Sequence, residues 1–262
     1  MNIEKVSVVY FSATGTTKNV VLSIAKGTGM PQEVYDLTHL SSLPKIPAFT
    51  ERDLVIIGTP VYFGRVLNVL YPILNTLVAQ NTFCVVVGVY GNRHYDDYLV
   101  EAEDILRGRG FLPVAGAAFI GEHSFSPKIA AGRPDAEDLK QAEAFGAAVI
   151  GKLRAGQEPV LPVGVIAGKR PYRTHPANAG KKEPFGPQFQ DNCNKCGLCV
   201  AQCPTGAIEQ IGVIDNTKCI RCCACTKSCP HTAIVFTNEQ FLASVHRLEE
   251  LLLQHNAPEL FI

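Results

Sequence analysis

The sequence predicts a five-stranded, parallel, doubly wound α/β sheet, followed by a small α+β domain rich in cysteine and a terminal helix. Three observations predict it. Over residues 1–155, short runs apolar on both faces alternate with longer segments of helical period. At residues 156–190 that alternation gives way to Pro, Gly and Lys/Arg. Beyond it, residues 193–229 carry every cysteine of the chain except Cys84.

The elements follow in order. VSVVYF leads into TTKNVVLSIAKG, DLVIIG into VLNVLYPILNTLV, TFCVVVGVY into YLVEAEDILRGRG, and LPVAGAAFI into PDAEDLKQAEAFGAAVIGKLRAG. Strands apolar on both faces and separated by single amphipathic helices suit a parallel sheet covered on both sides. A short strand near Glu33–Asp36 completes five, with the expected order 2-1-3-4-5 and a ligand crevice outside the carboxyl ends of strands 1 and 3. Residues 156–190 read as an extended linker, because Pro159, Pro162, Pro171, Pro176, Pro184 and Pro187 forbid regular helix or central strand. The linker cations Lys169, Arg170, Arg173, Lys181 and Lys182 lie on a solvated connection or form a docking patch for an acidic redox partner. Residues 191–236 form the cysteine domain. In 237–262, Thr237 and Gln240 suggest a capping box, and Phe241, Val245, Leu248 and Leu252 an apolar stripe.

Lys and Arg total 24 against 24 Asp and Glu, so the basic excess of a nucleic-acid binder is missing. No apolar run reaches the roughly 18 residues that span a bilayer. MNIEKVSVVYFSATG lacks the pattern of a signal peptide. A cytoplasmic location is expected, where ten cysteines point to metal ligation or redox work rather than disulfides.

At the end of the first strand, Ser12, Ala13, Thr14, Gly15, Thr16 and Thr17 lie just where a helix begins. Free amides, the positive end of the helix dipole and several hydroxyls suit a phosphate there. Neither GxxxxGK[ST] nor GxGxxG is present, and a monophosphate such as that of FMN fits better than a triphosphate. GTPVYFGR and VYGNRHYDDY open at the same sheet edge. Tyr62, Tyr90 and Tyr95 are candidates for an aromatic wall beside an isoalloxazine ring, within loops that include Phe63. Pro60, Val61, Gly64, Gly91, Asn92 and Arg93 supply its polar edge, and Asp97 positions the loop.

CNKCGLCVAQCP and CIRCCACTKSCP are one pattern, CxxCxxCxxxCP, repeated at an offset of 26 residues. Zinc needs only four ligands and explains neither the third cysteine nor the proline. The spacing resembles that of bacterial two-cluster ferredoxins, whose fourth cysteine ligates the other repeat's cluster. The resemblance implies that Cys193, Cys196, Cys199 and Cys229 hold one [4Fe–4S] cluster, and Cys219, Cys222, Cys225 and Cys203 the other. Cys223 departs from the pattern by standing where the first repeat has Gly197; it is a spare small residue or a redox-active thiol. Cys84 is a core residue.

With YFSATGTT, GTPVYFGR, VYGNRHYDDY and the doubled cysteine run, nearly the whole chain resembles the flavodoxin/ferredoxin fusion proteins of anaerobic bacteria. The first domain departs from ordinary flavodoxins in lacking Trp and in being nearly neutral. The resemblance implies a flavodoxin-like fold, FMN, two [4Fe–4S] clusters and a redox partner protein, in an electron-transfer role in anaerobic metabolism. A second reading is an FMN-dependent reductase of a small-molecule substrate, with His123 as proton donor. A third is a redox sensor reporting through the terminal helix. Donor, acceptor and oligomeric state stay open.

Overall fold

The computed structural model describes residues 3–156, 159–174 and 185–262. Its central sheet contains β1 (Lys5–Tyr10), β2 (Gln32–Asp36), β3 (Asp53–Pro60), β4 (Thr82–Tyr90) and β5 (Phe111–Ile120), all parallel, in the order 2-1-3-4-5. A sixth strand, β8 (Glu259–Phe261), returns from the far end of the chain and pairs antiparallel with Gly116–Ala118 of β5. It goes beyond the five strands the sequence predicts, since three residues show no periodicity.

On one face, α1 (Thr16–Gly27) and α4 (Ala136–Arg154) bury Val20, Val21, Ile24, Phe145 and Val149 against Val6, Val8, Val85 and Ala117. Their backbones meet at two glycines: a Cβ on Gly27 would lie 1.9 Å from the Glu143 carbonyl oxygen, and one on Gly146 1.9 Å from that of Ile24. On the other face, α3 (Tyr98–Arg107) packs Leu99, Ala102 and Leu106 over Val55, Ile57, Cys84 and Val86. The segment expected to be one helix after β3 is a 3₁₀ turn at Asn68–Leu70 followed by α2 (Tyr71–Leu74). Pro72 has no N–H to return to Asn68, whose carbonyl takes the Tyr71 N–H instead, so the helix restarts at the proline.

The stretch at 159–174 is stitched to α3. Lys169 and Arg173 donate their backbone N–H groups to Asp97 (2.9 and 2.8 Å), Arg170 is bidentate on Asp104 (2.8 and 2.6 Å), and Arg173 also pairs with Asp96. Arg170 and Arg173 are therefore spoken for within the chain, against the docking-patch alternative; Lys181 and Lys182 lie outside the described residues.

The cysteine region pairs β6 (Gln188–Phe189) with β7 (Ile234–Val235) around α5 (Leu198–Ala201) and α6 (Ala224–Ser228). Its first strand thus falls in the range expected for the linker. The region's own buried core is Cys199, Ile208 and Ile234, small for a unit that folds on apolar burial alone. The terminal helix α7 (Glu239–Leu251) is capped by Asn238, which accepts the Phe241 N–H (2.9 Å). The cap is one residue later than the Thr237 box predicts, as Asn outranks Thr at this position. Phe241 packs on Phe125, Phe185 and Phe236, joining α7, the loop after β5 and the cysteine region. No described helix is long and apolar enough to cross a membrane.

Candidate functional site

A cavity of about 290 Å³ opens at the carboxyl edge of the sheet. Its floor is the turn from β1 into α1, where Gly15 begins the helix at φ +88°, a left-handed conformation that favours glycine. Ser12 Oγ accepts the Lys18 N–H (3.0 Å), and the Ser12 N–H donates to Thr38 Oγ1 (3.0 Å), which fixes the loop. The first turn of α1 carries no acid to oppose an anion. Ser12, Ala13, Thr14, Thr16 and Thr17 all line the cavity. Thr17 is 1% exposed, and its Oγ1 is buried with no hydrogen-bond partner. A buried hydroxyl left unpaired beside a helix N-terminus is the donor a phosphate oxygen would use.

Pro60, Val61, Tyr62, Phe63 and Gly64 form a second wall. Tyr62 and Arg65 exchange backbone hydrogen bonds (3.1 and 3.0 Å) across Phe63 (φ +54°) and Gly64 (φ +78°), the two left-handed residues of a primed turn. Glu101 anchors the end of this turn, taking Arg65 through both nitrogens (2.7 and 2.5 Å) and the Val66 N–H (2.8 Å). Nothing local in the sequence marks Glu101 for that task.

In the loop after β4, Tyr90, Gly91 and Arg93 line the cavity, whereas Asn92, Tyr95 and Asp97 do not. Two expectations need correction here. Tyr95 is buried and donates its hydroxyl to Glu259 Oε2 (2.6 Å), so it holds β8 and is not part of an aromatic wall. Asn92 spends its side-chain amide on the carbonyls of Leu252 (3.2 Å) and Gln254 (2.8 Å). The Asp97 carboxylate accepts the N–H groups of residues 169 and 173, while its own N–H donates to the carbonyl of the cavity residue Gly64 (3.1 Å).

The loop after β5 adds Gly121, Glu122, His123, Ser124 and Phe125 to the lining, His94 joins from the loop after β4, and two distant residues, Cys222 and Leu248, lie beside them. A position past a carboxyl strand end was the signal for GEHSF; Cys222 and Leu248 arrive through tertiary packing alone. His123 is pushed down to about 4, first by burial and then by Lys227 and Arg93. Its Nδ1 accepts the Phe125 N–H (3.2 Å), which leaves the single proton of the neutral ring on Nε2. It is thus a neutral hydrogen-bond donor at pH 7. The folded value lies below the unfolded one near 6.5, so this burial stabilises fully above pH 6.5 and progressively less as pH falls towards 4. Denaturant titrations at pH 7 and 5.5 should show a loss of about 1 kcal/mol that His123→Gln abolishes.

The eight pattern cysteines ring two voids. One is bordered by Cys193, Cys196, Cys199 and Cys229, the other by Cys203, Cys219, Cys222 and Cys225, so the fourth cysteine of each repeat faces the void of the other. Matching amides point at matching sulfurs: Ala207 N–H to Cys203 Sγ and Ala233 N–H to Cys229 Sγ, both 3.2 Å. Among the described residues, no three His, Cys, Asp or Glu side chains converge closely enough to hold a single ion. Cys223 also borders the second void, at φ +63°, where Gly197 of the first repeat has φ +82°. Cys84 is fully buried in the sheet core.

Cys222 borders both the second void and the cavity above the sheet. Tyr62 lies at the same junction: burial, then the thiols of Cys222, Cys223 and Cys219, hold its phenol proton well above the usual range. Lys227 of α6 pairs with Glu122 (2.6 Å), and the Leu40 N–H donates to the Pro204 carbonyl (2.9 Å), fixing the contact from two sides.

A family model for the flavodoxin domain matches residues 7–95, and one for the 4Fe-4S binding domain matches residues 188–209. A stretch of 37 residues is 51% identical to the epoxyqueuosine reductase of Francisella cf. novicida (strain Fx1) and covers 14% of this chain; the chain spans 10% of that relative's length. Similar solved structures include a flavodoxin from the domain Archaea (16% identical, 57% of this chain and 99% of that one, TM-score 0.42). Flavodoxin 2 of Bacillus cereus is 15% identical over 57% of this chain and 99% of its own, with TM-score 0.41. A Fusobacterium nucleatum flavodoxin bound to flavin mononucleotide is 15% identical over 58% and 98%, also with TM-score 0.41.

Proposed function

We propose that this chain, a flavodoxin-type domain joined to a 4Fe–4S ferredoxin-type domain, relays electrons in a fixed order between an outer [4Fe–4S] cluster, an inner [4Fe–4S] cluster and FMN. The observation that carries the order is Cys222, a wall shared by the inner thiol void and the flavin cavity. Cys193, Cys196, Cys199 and Cys229 would hold the outer cluster and Cys203, Cys219, Cys222 and Cys225 the inner one. Four thiols spread around each void suit a cube better than one ion. The exposure of Cys196, and of Asn194, Lys195 and Leu198 around it, leaves the outer site open to a redox partner protein. When bound, a cluster carries single electrons and the flavin one or two.

The protein's own contributions are positional. Thr17 and the start of α1 receive the phosphate, the Tyr62–Arg65 turn and Tyr90 wall the ring, and Lys227–Glu122 keeps the inner site against it. A reductase acting on a small substrate is the second reading, favoured by the polar wall of Glu122, His123 and Ser124. Transfer from anaerobically reduced protein only to a macromolecule supports the relay; sustained turnover of a small oxidant by the isolated chain supports the reductase.

Iron and acid-labile sulfide should each reach about eight per chain beside one FMN. Zinc without sulfide, or four irons, would overturn the two-cluster assignment.

A further inference from the structure

The loop after β4 has two sides. Gly91 and Arg93 line the flavin cavity, and between them Asn92, 1% exposed and at φ +61°, faces residues 252–256. Asn92 Nδ2 donates to the carbonyls of Leu252 and Gln254, and Asn256 Nδ2 returns bonds to Asn92 O (2.9 Å) and Oδ1 (3.2 Å). The same segment reaches a second cavity loop. Arg133 Nη1 donates to the Asn256 carbonyl (2.7 Å), while the Arg133 carbonyl accepts the N–H of Glu122, itself a cavity residue. Arg133 is held rigid by a buried bidentate pair with Asp138. Farther along, Glu259 takes the Tyr95 hydroxyl and β8 closes on β5.

We infer that residues 252–262 form a strap that holds the 90–97 and 121–133 loops in their flavin-binding geometry, with Asn92 as the positioning residue. Asn takes a left-handed backbone more readily than other side-chain-bearing residues, and here four hydrogen bonds to the strap hold both its backbone and its side chain in that conformation. Without those bonds the two loops gain conformations that cannot bind, and the apparent affinity falls by the fraction lost. Linkage makes the effect reciprocal: FMN must tighten the strap by the factor by which the strap tightens FMN. The inference rests on the FMN reading above.

The test uses the full chain with its clusters in place. FMN titrations compare it with Asn256→Ala and with a chain ending at Leu251, and hydrogen exchange of residues 252–262 is followed with and without FMN. Asn256→Ala removes two hydrogen bonds and the shorter chain at least six, so each should weaken FMN about tenfold or more, and FMN should slow exchange of the strap by a similar factor. If the chain ending at Leu251 does not fold, Asn256→Ala and the exchange measurement carry the test. A full chain that binds no FMN fails the flavin reading and the strap with it. A full chain that binds FMN, with unaltered affinity in Asn256→Ala or equal strap exchange in both states, fails the strap alone.

Discussion

Thr17→Val is expected to make the FMN-free chain slightly more stable and yet to weaken FMN binding by roughly ten- to a hundredfold. The two effects share one cause. Thr17 is buried, its methyl is directed towards β3 with Cγ2 3.5 Å from where a Gly58 Cβ would lie, and its hydroxyl has no protein partner. An unpaired buried hydroxyl costs about 1–3 kcal/mol, which an isosteric valine recovers. A hydrogen bond to a charged phosphate contributes about 1.5–3 kcal/mol, which valine cannot make. Fluorescence titration of FMN beside chemical denaturation of the FMN-free variant reads both signs. An unchanged dissociation constant would move the phosphate away from α1.

Cys222→Ala is expected to abolish electron exchange between clusters and flavin while FMN remains bound. Among the described residues Cys222 is the one that borders both the inner thiol ring and the flavin cavity, so alanine removes a thiol that the proposed inner site would use. The outer ring keeps all four of its cysteines, so about four of eight irons should survive. Rapid mixing with a reductant that reaches the outer site should reduce the remaining cluster and leave the flavin oxidised over the time in which the parent chain completes its reaction. Cys196→Ala provides the contrast: it opens the exposed ring and leaves the inner ring intact, so a flavin reduced by light should still pass an electron to the inner site. Flavin reduction at the parental rate in Cys222→Ala would place the route elsewhere.

The strand order was legible because β3 and β4 are apolar on both faces and are separated by single helical segments. The grouping of the pattern cysteines around two voids follows from a pattern that is long and repeated. Residues that share a loop were harder to assign. Gly91, Asn92 and Arg93 are consecutive, yet only the outer two line the cavity, and the turn of one side chain away from it depends on a segment some 160 positions later. Tyr95 escapes a sequence reading for the same reason: its partner, Glu259, carries no mark near the loop. The broken helix at 68–74 was foreshadowed by Pro72, though its apolar spacing argued otherwise.

The stitching of residues 169–173 onto α3 has a consequence for how the two redox modules meet. Because Asp97 and Asp104 grip that stretch, the connection between the modules sets out from residue 173 rather than from the end of α4 at Arg154. A shorter tether raises the effective concentration of one module at the other. The rate at which flavin and iron equilibrate should then be independent of dilution, and cutting the grip with Asp97→Ala should matter more as urea loosens the remaining contacts.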